Sequence, residues 1–114
     1  MGAGFVSHSE STARRLQRLA QLYQHGQASA LMDRTLEKLL KYETELSQAQ
    51  LRQLRADLAE LEQRYGLTSA DFYSRFQSGQ TDDHLDYVEW ASLIQMAQNV
   101  EQRLEALTSE AKTA

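Results

Sequence analysis

Hydrophobic residues recur along this chain at alternating steps of three and four, the spacing that gathers side chains on one face of an α-helix. Leu16, Leu19, Leu22 and Tyr23 form a first such set. Ser9, Ser11 or Thr12 can cap the helix they imply, and Gly26 stands where a helix-ending glycine belongs. Ser29 then caps a second pattern that meets no proline or glycine until Gly66. Its downstream half reads Leu51, Leu54, Leu58, Leu61 and Tyr65; its upstream half reads Met32, Leu36, Leu39 and Leu46, interrupted by Glu43. The two frames differ by one residue across Ser47-Gln48-Ala49-Gln50. The eleven residues from Leu40 to Leu51 bridge them as a hendecad would. A break near Ser47 is the alternative.

A third, short helix is expected over Ala70 to Gln77, capped by Thr68 or Ser69, with Asp71 as the acid of a capping box. Its apolar residues are Phe72, Tyr73 and Phe76, all aromatic. Ser78-Gly79-Gln80 reads as a turn. Thr81 is the expected cap of the last helix, which would carry Asp82 and Asp83 in its first turn, where the helix dipole favours them. That helix continues as Trp90, Leu93, Ala97, Val100, Leu104 and Leu107, widened by Tyr87 and Ile94, and fades at Thr108.

These elements predict an all-α protein: a long, coiled-coil-like helical hairpin with a short aromatic connecting helix and an N-terminal helix. Residues 1–8 read as a flexible lead-in, 9–108 as one helical domain and 109–114 as a flexible tail. The fourth helix folds back antiparallel over Leu51–Tyr65. A second helix of about 36 residues would be about 54 Å long, against a radius of gyration of about 13 Å for a compact domain of this size. Its first part therefore needs cover from elsewhere. A homodimer supplies it, with Leu16, Leu19, Leu22, Tyr23, Met32, Leu36 and Leu39 pairing with their symmetry mates.

Composition agrees with long helices. The 114 residues include no proline and five glycines. The absence of cysteine excludes disulfides and thiolate metal sites. No signal-peptide pattern or long apolar run is present, so a cytoplasmic protein without a membrane span is expected. The net charge of −4 is unevenly spread. Residues 1–55 hold eight Lys and Arg against five Asp and Glu, whereas residues 56–114 hold four against eleven. A basic half and an acidic half point to two different partners or to head-to-tail self-association, unless both are plain solvated surface.

Candidate chemistry is sparse. Asp82, Asp83, His84, Asp86 and Glu89 resemble a metal-ligand set, because Asp82 and Asp86, or Asp86 and Glu89, would share a helix face. A capped, dipole-matched helix start with a solvated acidic face explains them better, and no metal or cofactor is expected. His8, His25 and His84 are scattered, and neither a nucleophile elbow nor a phosphate-binding loop is present, so an enzyme is not expected. Arg14, Arg15 and Arg18, with Arg34, Lys38 and Lys41, could form a basic surface for nucleic acid, although the sequence pI of about 5.3 does not favour that reading. The stronger candidate is the aromatic joint, since Tyr65 to Trp90 holds six of the nine aromatics. Phe72, Tyr73, Phe76, Tyr87 and Trp90 are either the plug of the hairpin or the anchors of a partner site rimmed by Arg75, Asp82, Asp83 and Asp86.

This stretch also resembles a pattern in small helical bacterial proteins. The matching residues are Tyr65-Gly66, Phe72-Tyr73, Arg75-Phe76, Gly79, Asp82-Asp83 and Asp86-Tyr87-Val88-Glu89-Trp90. Many such proteins are identified as antitoxins encoded beside a small toxin gene. The resemblance covers the last ~50 residues and implies a non-enzymatic protein that neutralises a small basic toxin by direct binding. The alternatives are a homo-oligomeric helical scaffold and a nucleic-acid-binding regulator.

Overall fold

The computed structural model describes residues 9–109, and four helices account for nearly all of them: α1 (Ser9–Gln24), α2 (Ala30–Tyr65), α3 (Ser69–Gln77) and α4 (Leu85–Thr108). The lead-in expected over residues 1–8, and the expected tail apart from Ser109, lie outside the described residues. The all-helical architecture expected from the pattern is present. No described helix is long and apolar enough to cross a membrane. Contacts divide the chain into two units, Met1–Leu39 and Leu40–Ala114.

In the first unit, α1 starts at Ser9, so Ser11 and Thr12 lie inside the helix and do not cap it. Gly26 ends α1 with φ of 69°. The Gln27 N–H donates to the Leu22 carbonyl at 2.8 Å and the Gly26 N–H to the Tyr23 carbonyl at 3.2 Å, the paired bonds of a Schellman turn. Ser29 starts α2 as expected, its Oγ accepting from the Met32 N–H at 3.1 Å. The Tyr23 hydroxyl reaches Asp33 Oδ1 at 3.4 Å. Of the apolar set expected at an interface, Leu19, Leu22, Met32 and Leu36 are half-buried, whereas Leu16, Tyr23 and Leu39 are exposed. No residue from 10 to 39 is fully buried.

The second unit is an antiparallel hairpin of α2 and α4 with α3 at its joint. Helix α2 is continuous through Ser47, so the break considered there does not occur. Near the joint, Leu61 packs with Phe72, Trp90, Ala91 and Ile94. Farther along, Leu51 and Leu54 pack with Ala97, flanked by Val100 and Leu104. Each fully buried Leu, Ile or Phe side chain here contributes about 1.5–3 kcal/mol through the area it removes from water, and each alanine less.

The upstream frame of α2 does not continue that seam. Leu46 is exposed, and its neighbour Ser47 is completely buried. The buried face instead runs back from Leu51 through Ser47 and Glu43, which Arg103 of α4 contacts: its Nε donates to Ser47 Oγ at 3.1 Å, and its Nη2 pairs with Glu43 Oε1. The stretch read as a frame change therefore contributes a polar interface contact through Ser47, while Gln48 and Ala49 are exposed.

The start of α4 also differs from expectation. Thr81, Asp82 and Asp83 precede the helix, and His84 is its cap, with Nδ1 accepting from the Asp86 N–H at 3.1 Å. Asp82 Oδ1 accepts from the His84 N–H at 2.9 Å. That local side-chain turn competes with a helical start at Thr81 and delays the helix by three residues. Asp82 and Asp86 consequently do not share a helical face.

Candidate functional site: the aromatic joint and the acidic face of α4

Helix α3 is anchored at both ends by short-range chemistry. Thr68 Oγ1 caps it, accepting from the Asp71 N–H at 3.1 Å, and Glu62 Oε2 takes the Ser69 N–H at 2.7 Å. A carboxylate at this end is also favoured by the helix dipole. At the other end Gly79, with φ of 77°, closes a second Schellman turn, in which Gln80 N–H bonds the Arg75 carbonyl at 2.8 Å. So fixed, α3 presents Phe72 to the hairpin.

Phe72 and Trp90 stack with ring centroids 4.0 Å apart and planes within 2°. Tyr65 lies against Trp90 at 5.8 Å and meets Tyr87 edge-on at 5.3 Å. Phe72 is 1% exposed and Trp90 0%, so both plug the joint and neither offers an edge to a partner. The Trp90 indole N–H is satisfied internally by Ser69 Oγ at 2.9 Å. Ser69, read as a candidate cap, instead serves the tryptophan. Tyr73, Phe76 and Tyr87 are half-buried around this plug, while Arg75, Asp82 and Asp83 are exposed.

Asp86 sits at the rim of the plug. Its Oδ2 accepts from the Tyr65 hydroxyl at 2.5 Å and from Arg64 Nη1 at 3.0 Å. The tyrosine hydrogen bond, aided by the arginine against the opposing effect of burial, holds the Asp86 carboxyl below the usual carboxylate range. The same hydrogen bond, together with burial, raises the Tyr65 phenol above its ordinary value. Asp86 is thereby committed to holding α2 and α4 together. Among the described residues no group of three or more His, Asp or Glu side chains is placed to hold a metal ion.

No family model matches this chain, and no curated protein or solved structure matches it either. Its surfaces must therefore be read on their own chemistry.

Two features of the second unit were not singled out by the hydrophobic pattern. One is an open groove of about 810 Å³ beside α3, floored by Leu58, Ile94 and Ala97 and bordered by Tyr73 and by the Arg55–Glu101 ion pair at 3.0 Å. The other is the outer face of α4. Leu85, Val88 and Met96 are 78%, 48% and 50% exposed. With Ser92 they follow a three-four-four spacing and lie on the side of α4 opposite Trp90 and Ile94. The exposed carboxylate of Glu89 borders this stripe, exposed Asp82 and Asp83 immediately precede the helix, and no Lys or Arg occurs from residue 76 to residue 102. The signal was present in the sequence: Leu85 and Val88 fall outside the inward stripe, in a segment without positive charge.

In the first unit, Arg14, Arg15 and Arg18 are exposed on α1. Arg14 pairs with Glu10 at 3.4 Å on the same helix. At that distance and exposure the pair adds little stability.

Proposed function

We propose that this chain is a non-enzymatic, self-associating protein-binding module of the antitoxin type, which blocks a small basic protein by covering it. The observation that carries this reading is the outer face of α4, where exposed Leu85, Val88 and Met96 stand beside Asp82, Asp83 and Glu89 with no intervening cation. Apolar anchors supply contact area, and uncompensated carboxylates attract a basic, nucleic-acid-binding type of surface and orient it. Because Phe72 and Trp90 are internal, the anchoring role moves from the aromatic joint to this outer face, with Arg75 and the half-buried Tyr73, Phe76 and Tyr87 as neighbouring surface. Neutralisation of this kind is steric and electrostatic and requires no cofactor.

Self-association is supported by the first unit, whose apolar residues Leu16, Leu19, Leu22, Tyr23, Met32, Leu36 and Leu39 include none that the chain itself fully buries. A second copy would cover them. The same observation favours a helical scaffold as the second reading.

The test is co-expression with the products of the adjacent genes, followed by size-exclusion chromatography with light scattering. A stable complex with a Lys- and Arg-rich neighbour, together with relief of a growth defect caused by that neighbour alone, is expected. Self-association without any such complex would leave the scaffold reading in its place.

A further inference from the structure

We infer that the basic helix α1 of one copy docks on the outer face of α4 of a second copy. This inference rests on the self-associating, protein-binding reading above and names the partner of the α4 face when no foreign protein occupies it.

Both halves of the contact belong to this chain and match in spacing and in charge. On α1, Leu16, Leu19 and Tyr23 step by three and four along one face, with Leu16 54% and Tyr23 38% exposed. On α4, Leu85, Val88 and Ser92 make the same steps and Met96 extends them by four. At 100° per residue, Arg15 falls along the edge of the α1 stripe that precedes it in the helical turn, with Arg18 farther round the same side, whereas Glu89 falls along the following edge of the α4 stripe. Opposite edges of this kind face each other when two helices run parallel. A parallel alignment therefore sets the Arg15 side of α1 toward Glu89, at the end of α4 that Asp83 precedes, and lays Tyr23 over the small Ser92.

The electrostatics favour this arrangement over pairing α1 with its own symmetry mate. Like-on-like pairing gathers Arg14, Arg15 and Arg18 of two copies, with only Glu10 as a carboxylate on each helix. Docking on α4 gives the arginines a face free of positive charge. Neither Asp83 nor Glu89 has an ion pair or side-chain hydrogen bond within the described chain, and neither do Arg15 and Arg18. All four are exposed, so docking does not have to break an existing pair. Because the two faces differ, the contact is heterologous: it closes by reciprocal exchange between two copies or adds copies as concentration rises.

Charge reversal with rescue tests this directly, using the full chain and residues whose substitution leaves the cores untouched. Light scattering over a concentration series reads self-association, and far-UV circular dichroism checks that helicity is retained. Arg15→Glu with Arg18→Glu should weaken self-association about tenfold or more, as should Asp83→Lys with Glu89→Lys. An equimolar mixture of the two doubly substituted proteins should recover the association that each has lost, and raised salt should weaken the wild-type contact. The inference is overturned if reversing the arginines leaves association unchanged or strengthens it, as like-on-like pairing requires. A mixture that stays dissociated, or a wild-type chain that is monomeric throughout, overturns it equally. Capture of a foreign basic protein is measured separately from this mass, so loss of either property is distinguishable from loss of the other.

Discussion

The Arg103 guanidinium donates to the hydroxyl of Ser47 at 3.1 Å, joining α4 to the one stretch of the α2 seam that has no leucine on it. Ser47 is completely buried and Glu43 completes the cluster. An apolar seam of regular leucines tolerates a shift by one heptad, whereas this group has partners at one alignment only. The cluster is expected to favour one register of the hairpin, with the burial of Ser47 as its cost in stability.

Removing one member should expose that balance. Arg103→Met leaves the buried Ser47 hydroxyl and the Glu43 carboxylate without this donor, and is expected to lower the unfolding free energy by about 1–3 kcal/mol. Replacing the whole group, with Glu43→Leu, Ser47→Ala and Arg103→Leu together, should return stability to the wild-type level or above. Urea unfolding of the two proteins gives the comparison, and a triple variant less stable than Arg103→Met alone would contradict this view of the cluster.

The Trp90–Ser69 bond predicts an asymmetry at the plug. Ser69→Ala leaves a buried indole N–H unpaired and should cost about 1–3 kcal/mol. Trp90→Ala, which also removes the stack on Phe72, should cost about 3–5 kcal/mol. Thermal unfolding followed by far-UV circular dichroism compares the two, and near-UV circular dichroism reports the environment of the single tryptophan in Ser69→Ala.

Stability should fall at both ends of the pH range through one hydrogen bond. The Asp86 carboxyl titrates lower in the fold than when unfolded, so its contribution is complete above the ordinary carboxylate range, near pH ~4, and is lost as pH falls through its folded value. The Tyr65 phenol titrates higher in the fold than when unfolded, so its contribution is complete below pH ~10 and is lost as pH rises through its folded value. Tyr65→Phe should flatten the alkaline limb and reduce the acid limb, while Asp86→Asn should remove the carboxylate's acid limb. Chemical denaturation at a series of pH values reads both.

The helices, the downstream seam from Leu51 to Tyr65 and the inward face of α4 were legible in the sequence because burial there repeats with the helical period. Gly26 and Gly66 were legible as helix stops, and Gly79 as part of a turn, because each has a positive φ that other residues reach only with strain. Ser47 and Arg103 were not, because periodicity counts apolar residues and their burial depends on a pairing 56 positions apart. The cap at His84 was missed because a side chain, Asp82, competes for the first N–H group. Which aromatics were plug and which were surface depended on Ser69 reaching Trp90, a relation between helices. Leu85 and Val88 were masked by the stronger inward stripe of the same helix.

The most direct measurement of the central claim compares two variants of the full chain for binding of the basic protein encoded beside it. Leu85→Ser with Val88→Ser alters the outer face of α4, and Tyr73→Ala alters the α3 side of the joint. The account predicts that the first loses roughly tenfold or more in affinity, while the second keeps near wild-type binding. Unchanged binding by the α4 variant, or failure of the wild-type chain to bind the protein at all, would contradict it.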